Sequence, residues 1–204
     1  MSLTAASLRT AVRVTAPAVA ALTLTMAFAS PASADPAFVT SGGGRLTFTA
    51  LPGETNNVTF DTFSAGTLRV TDTTSNLTAG PGCTGSGHTV LCAGAGVTRI
   101  LANLGDRNDT AHNDTDLASD LVGGQGNDIL IGGDGPDRLT DLDGWNGPTL
   151  TTVTMAGRGG NDTIVSRNGG YDQVDCGSGF DVLLADPASR DLVVPNTCEF
   201  VQRF

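Results

Sequence analysis

The chain contains no lysine: all 11 basic residues among its 204 are Arg. Two of them, Arg9 and Arg13, fall within the first 34 residues, so the remainder sets 9 Arg against 21 Asp and Glu, a net charge of −12. That balance excludes a nucleic-acid partner, whose phosphates need a basic face, and an anionic membrane surface. Aromatic residues are scarce, with one Trp and one Tyr, which leaves few platforms for stacking a sugar. Helical periodicity is missing after residue 34, and so is any run of about 20 apolar residues that could cross a membrane. There is no C-x-x-C knuckle to suggest zinc. There is no G-x-S-x-G elbow, and His88 and His112 are the only histidines, so a nucleophile–base triad has little to stand on. Together these absences point to a binding protein and away from an enzyme.

Residues 1–34 read as a secretory signal peptide. Arg9 and Arg13 supply the positive start, Ala16–Ala29 the apolar stretch, and Ala32-Ser33-Ala34 a small-x-small cleavage site. The expected product is secreted and extracellular, without membrane insertion. The four cysteines, Cys83, Cys92, Cys176 and Cys198, all follow the leader. An even number in an exported protein favours disulfides. Three connectivities are open, of which the local one, Cys83–Cys92 with Cys176–Cys198, is the simplest.

What the chain has in abundance is Gly and Asp. All 27 Gly follow the leader, and 19 of the 21 acids are Asp. The charge is uneven: residues 35–103 carry a net of −1 and residues 104–204 a net of −11. The first segment reads as a strand-rich cap. Arg45–Ala50, Asn57–Phe63, Thr67–Thr71, Thr89–Cys92 and Val97–Leu104 are runs of Thr, Val, Leu and Phe with partial alternation. The fold class expected is all-β: an irregular parallel β-roll or β-solenoid behind an N-terminal strand-rich cap.

The second segment is organised by a nine-residue repeat. Gly123–Ile131 reads GGQGNDILI and Gly132–Thr140, adjoining it, reads GGDGPDRLT; both fit G-G-x-G-x-D-x-U-x, with U a large aliphatic. Looser copies lie at Leu104–His112, Gly157–Val165, Arg167–Asp175, Cys176–Leu184 and Asp186–Val194. The eighth position holds Leu130, Leu139, Ile164, Val174, Leu183 and Val193. One inward aliphatic per short strand predicts stacked strands with an apolar column. The glycines then turn main-chain carbonyls toward one point, and the Asp at position six adds an anionic oxygen. Carbonyl and carboxylate oxygens without thiolate or imidazole suit Ca²⁺. The candidate metal residues are Gly123, Gly124, Gly126, Asp128, Gly132, Gly133, Gly135, Asp137, Gly157, Gly160, Asp162, Asp172 and Asp181.

These repeats resemble the hemolysin-type (RTX) calcium-binding nonapeptide. The stretches Cys83–Thr110 and Asp175–Val201 resemble the Cys-bracketed parts of secreted actinobacterial proteins built from it. The resemblance implies a parallel β-roll with two repeats per turn, ions held between turns two repeats apart, and Ca²⁺ as the cofactor. It supplies no reaction and no partner.

The copies also depart from the pattern. A ladder ion needs Asp residues 18 apart, yet Asp128 meets Asn146 and Asp137 meets Met155 at that distance. Asp109 to Asp128, Asp162 to Asp181 and Asp172 to Asp191 are spaced 19, which predicts a bulged residue in each turn. Arg107 and Arg158 occupy Gly positions, and Pro148 breaks the pattern between two blocks. The expectation is few ions, with the tandem turn around Asp128 and Asp137 the leading site. Without calcium the −11 segment should be loose, so binding would be coupled to folding. Two other readings stand beside it. One is an adhesin or cell-wall scaffold that uses Trp145 on an unidentified extracellular glycan or protein partner. The other is a β-helix polysaccharide lyase with Arg138, Arg158 or Arg167 as base.

Overall fold

The computed structural model describes residues 36–144 and 154–204. The leader and the segment containing Trp145, Asn146 and Pro148 lie outside the described residues. Every regular element among those described is a strand. In chain order these are β1 Ala37–Gly42, β2 Arg45–Thr49, β3 Asn57–Ser64, β4 Thr67–Asp72, β5 Leu77–Ala79, β6 Cys83–Gly87, β7 Thr89–Ala93, β8 Arg99–Asn103 and β9 Thr110–Asp114. There follow β10 Ala118–Val122, β11 Ile129–Ile131, β12 Arg138–Thr140, β13 Met155–Ala156, β14 Thr163–Val165, β15 Gln173–Asp175, β16 Val182–Ala185, β17 Leu192–Val193 and β18 Phe200–Arg203. The 18 strands form one mixed sheet, so the all-β expectation holds.

From β8 onward, consecutive strands alternate between two parallel ladders. One runs β2, β8, β10, β12, β14, β16, β18. The other runs β3, β9, β11, β13, β15, β17. One strand from each ladder makes a layer. β1, β5, β6, β7 and β4 pair in turn between β2 and β3 and join the two ladders at the N-terminal end. The composition shift at residue 104 therefore meets no break in strand pairing: β2 and β3, from the strand-rich segment, are the first rungs of the ladders.

The repeat's eighth position fills the interior. Leu121, Leu139, Ile164 and Leu183 stand in register along one ladder. Ala111, Leu130, Met155 and Val174 do so along the other. All eight are fully buried. In the first layer Phe48 and Phe60 fill the wider space edge to face, 6.0 Å apart. Successive residues of a strand face opposite sides, so position six, two before position eight, faces inward as well. This is why the repeat's Asp residues are buried within the stack and not displayed on its surface.

The cysteines pair locally, Cys83 with Cys92 and Cys176 with Cys198. The first disulfide joins directly opposed residues of β6 and β7. The second ties the last turn to the buried Cys176.

Candidate metal centre

Each layer has a turn at either end, and the position-six residues stack into two columns. The first column carries Asn56, Asp109 and Asp128, then Asp172 and Asp191. The main-chain N–H of each donates to the carboxylate of the next: Asn56 to Asp109 Oδ1 at 2.7 Å, Asp109 to Asp128 Oδ1 at 2.9 Å, and Asp172 to Asp191 Oδ1 at 3.3 Å. The second column carries Ser119, Asp137, Asp162, Asp181 and Glu199, with the corresponding bonds at 2.7, 2.8, 2.8 and 2.7 Å.

Spacing in the chain does not follow the 18-residue rule. Asp residues 19 apart stack directly, as Asp109 with Asp128 and Asp162 with Asp181. Asp137 stacks on Asp162, 25 residues on, and β12 pairs in register with β14. The two Asp residues of the tandem repeat are separated: Asp128 stands before β11 and Asp137 after it, at opposite ends of one strand, in different columns. The structure brings together Asp109 with Asp128, and Asp137 with Asp162 and Asp181.

The glycines set how closely the layers approach. A side chain at Gly124 would run into the carbonyl of Gly105, at Gly126 into that of Arg107, and at Gly160 into that of Gly135. At Gly133 and Gly135 it would strike the carbonyls of Thr115 and Asp116. Gly123, Gly132 and Gly157 instead lie against the Oδ2 atoms of Asp128, Asp137 and Asp162 in their own turns. At Gly132 and Gly157 the missing Cβ leaves a carboxylate oxygen and a carbonyl of the next layer around one space, the carbonyls being those of Gly157 and Cys176.

The carboxylates differ in how well they are satisfied. Asp72, buried in the first layer, accepts from the side chains of Asn56 and Thr74 and from the main chain at 57, 74 and 75. Asp137 accepts from Ser119 on Oδ1 and from the Gly133 N–H on Oδ2 at 2.6 Å. Asp172 accepts from the hydroxyl of Thr154 and the amide of Asn168. By contrast Oδ2 of Asp109, Asp128, Asp162 and Asp181 is buried and has no hydrogen-bond partner. These four are the members of two directly stacked pairs, one in each column.

Burial in this setting opposes ionisation. Desolvation raises the carboxyl pKa of Asp109 and Asp162 to about 7 and that of Asp128 and Asp172 to about 6. It raises those of Asp137, Asp181 and Asp191 as well. Like-charged neighbours add to the effect, Asp128 pressing on Asp109 and Asp137 and Asp181 on Asp162.

The donor set fits a hard cation. In each stacked pair two buried carboxylate oxygens lack partners, and beside Oδ2 of Asp162 the missing Cβ of Gly157 also leaves the Cys176 carbonyl close. Among the described residues no three acidic, His or Cys side chains already converge on one point. An ion here would be shared by two carboxylates and main-chain oxygens.

The three arginines considered for lyase chemistry are each engaged. Arg158 donates to Asp114 at 2.7 Å, Arg138 lies 3.7 Å from Asp120, and Arg167 sits over the ring of Phe204 at 4.2 Å. Among the described residues no helix is long and apolar enough to cross a membrane. Sequence reasoning missed Asp109 as a metal candidate, although its repeat copy was visible; Ala111 at the eighth position weakened that copy. It also missed Asn56, Ser119 and Glu199, which continue the columns without the motif.

Comparison of the chain with protein-family models, with curated proteins and with solved structures finds no match in any of the three.

Proposed function

We propose that this is a secreted calcium-binding protein, an irregular β-roll of the hemolysin-repeat type in which Ca²⁺ completes the fold. On this reading each layer is one turn of the roll, and the ions lie between stacked turns at Asp109 with Asp128 and at Asp162 with Asp181. The observation that carries it is the set of four buried, partnerless Oδ2 atoms on two stacked Asp pairs. A carboxylate in that state is costly whether charged or neutral. A cation supplies the missing interaction.

The chain's own residues do the rest. The main-chain N–H ladder orients one oxygen of each carboxylate and leaves the other free. The glycines admit the carbonyls. The aliphatic columns exclude water beside the turns. Bound Ca²⁺ supplies the positive charge that lets these carboxylates ionise together. Because the pairs exist only when the layers are stacked, binding energy becomes folding energy. Low calcium in a cytosol would disfavour folding before export, and extracellular calcium would complete it.

The test is a calorimetric titration of Ca²⁺ into chelated, oxidised protein with far-UV circular dichroism alongside. Saturable binding with a gain of β signal is expected. A flat titration with β structure already present would overturn the reading and leave the Asp columns as hydrogen-bonding caps alone.

A further inference from the structure

The first column loses its carboxylate at the insertion. β11 pairs with β13, Leu130 beside Met155, and Thr151 to Thr154, which lead into β13, contain no acidic residue. At the other end of that turn stands Asp141. Leu104, Gly123, Asp141 and Ser166 occupy equivalent places one residue past β8, β10, β12 and β14. Each donates its N–H to the strand end of the next layer: Val122, Thr140, Val165 and Leu184. Where the neighbours carry Leu, Gly and Ser, this layer carries a carboxylate that is 2 % exposed.

Asp141 stands opposite the glycine against which a partnerless oxygen lies. Oδ2 of Asp128 is buried without a hydrogen bond and lies against Gly123, and Asp141 stacks on Gly123. Asp128, Asp172 and Asp143 press on Asp141 with like charge, and the N–H of Asp143 donates to its Oδ1 at 3.2 Å. Asp172 is already held by Thr154 and Asn168. One such bond does not offset the like charges around a buried carboxylate, which a proton or a cation would neutralise.

We propose that Asp141 and Asp128 together hold a hard divalent cation, Ca²⁺, where the first column is interrupted. Asp141 restores from the start of the turn the carboxylate that the repeat omits at its end. The consensus repeat places Gly at this position, so the site is this chain's own. It rests on the calcium reading above and adds one ion to it. Oδ1 of Asp128 stays on the N–H of Asp109, so its Oδ2, with two lone pairs, would bridge this ion and the one shared with Asp109.

The experiment counts ions by calorimetry, and the calcium-induced rise in melting temperature, for the oxidised wild type and for Asp141→Asn, Asp141→Ser and Asp162→Asn. Ser is what the next layer carries at the equivalent place, so that variant keeps the packing if Asn does not. Both Asp141 variants are expected to bind one ion fewer, to gain less stability from calcium, and to melt at the same or a higher temperature in chelator. Asp162→Asn, in the other column, keeps this ion and loses another. Unchanged ion count and unchanged calcium response in the Asp141 variants would overturn the proposal while leaving the wider reading intact. A wild type that takes up no calcium would overturn both.

Discussion

The N–H of Asp109 donates to Oδ1 of Asp128 at 2.9 Å, across 19 residues of chain, and leaves Oδ2 of Asp128 with nothing to accept. One oxygen of this carboxylate holds the layers in register, and the other is buried without a partner. The same division recurs between Asp162 and Asp181, where the bond is 2.8 Å. On the calcium reading the structural and metal-binding roles sit on different atoms of one side chain, and a substitution can separate them.

Asp162→Asn makes that separation. The amide oxygen can still accept from the N–H of Asp137, so the ladder survives, while the partnerless anionic oxygen is gone. In chelator the variant is expected to melt no lower than wild type, because a buried charge has been removed. In saturating calcium it is expected to fall short of wild type, since one ion at 100 times its Kd is worth about 2.7 kcal/mol. Differential scanning calorimetry with and without calcium checks both. Equal melting temperatures in calcium would show that the Asp162–Asp181 pair holds no ion.

The pH dependence has a definite sign. Burial raises the carboxyl pKa of Asp128 and Asp172 to about 6 and of Asp109 and Asp162 to about 7, from an ordinary value of 3.8. Between these limits the folded chain binds more protons than the unfolded one. Their stabilising effect is complete below about pH 4 and is lost as pH rises through 6 to 7. Each tenfold gain in proton affinity corresponds to about 1.4 kcal/mol. In chelator the melting temperature should therefore fall from pH 5 to pH 8, by on the order of 10 °C. Saturating calcium should flatten most of the fall, because Asp109, Asp128 and Asp162 then ionise with a partner. A melting temperature in chelator that rises over the same range would show that the columns are not protonated in the folded state.

Much of this arrangement can be read from the amino-acid sequence, for reasons visible at particular residues. Leu130, Leu139, Ile164 and Leu183 recur at a fixed distance from an Asp, and the two-residue alternation of a strand carries both inward. The pairing of β2 with β8 is less legible: Leu46 meets Ile100 without a shared motif, because one buried apolar residue serves there as well as another. Register across the insertion is not legible either. Asp137 stacks on Asp162 across 25 residues where its neighbours need 18 or 19, which no count along the chain reveals. Asp141 was hidden for a related reason. An Asp in a glycine's place reads as decay of the repeat until stacking sets it beside Asp128.

Glycine substitutions should separate close approach from backbone preference. Gly179 has φ +145, and a side chain there would enter the carbonyl of Gly160 in the layer beneath. Gly87 has φ +72 with nothing within 4 Å of an added Cβ. Gly87→Ala should cost about 1 kcal/mol, the ordinary penalty for a left-handed residue. Gly179→Ala must also push two layers apart, and about 3 kcal/mol or more is expected. Urea denaturation in calcium gives both values. Similar costs would mean that the turns are not packed carbonyl to Cα.

The last turn tests whether the end of the stack is needed for the centre. Cys198 is joined to the buried Cys176, and its neighbour Glu199 accepts the N–H of Asp181 at 2.7 Å, closing the second column. Beyond it β18 pairs with β16 and is exposed along its length. Cys198→Ser releases a loop of 21 intervening residues. On the loop-entropy model that removes about 3 kcal/mol of constraint. Amide exchange should then accelerate in β18 and at Asp181, whose acceptor is freed with the turn. It should remain slow in β12 and β14. Oδ1 of Asp181 is still fixed by the N–H of Asp162 at 2.8 Å, so the ion shared by Asp162 and Asp181 should persist with weaker affinity. Its complete loss in Cys198→Ser would mean that Glu199, and not the Asp162–Asp181 pair alone, sets the geometry of the site.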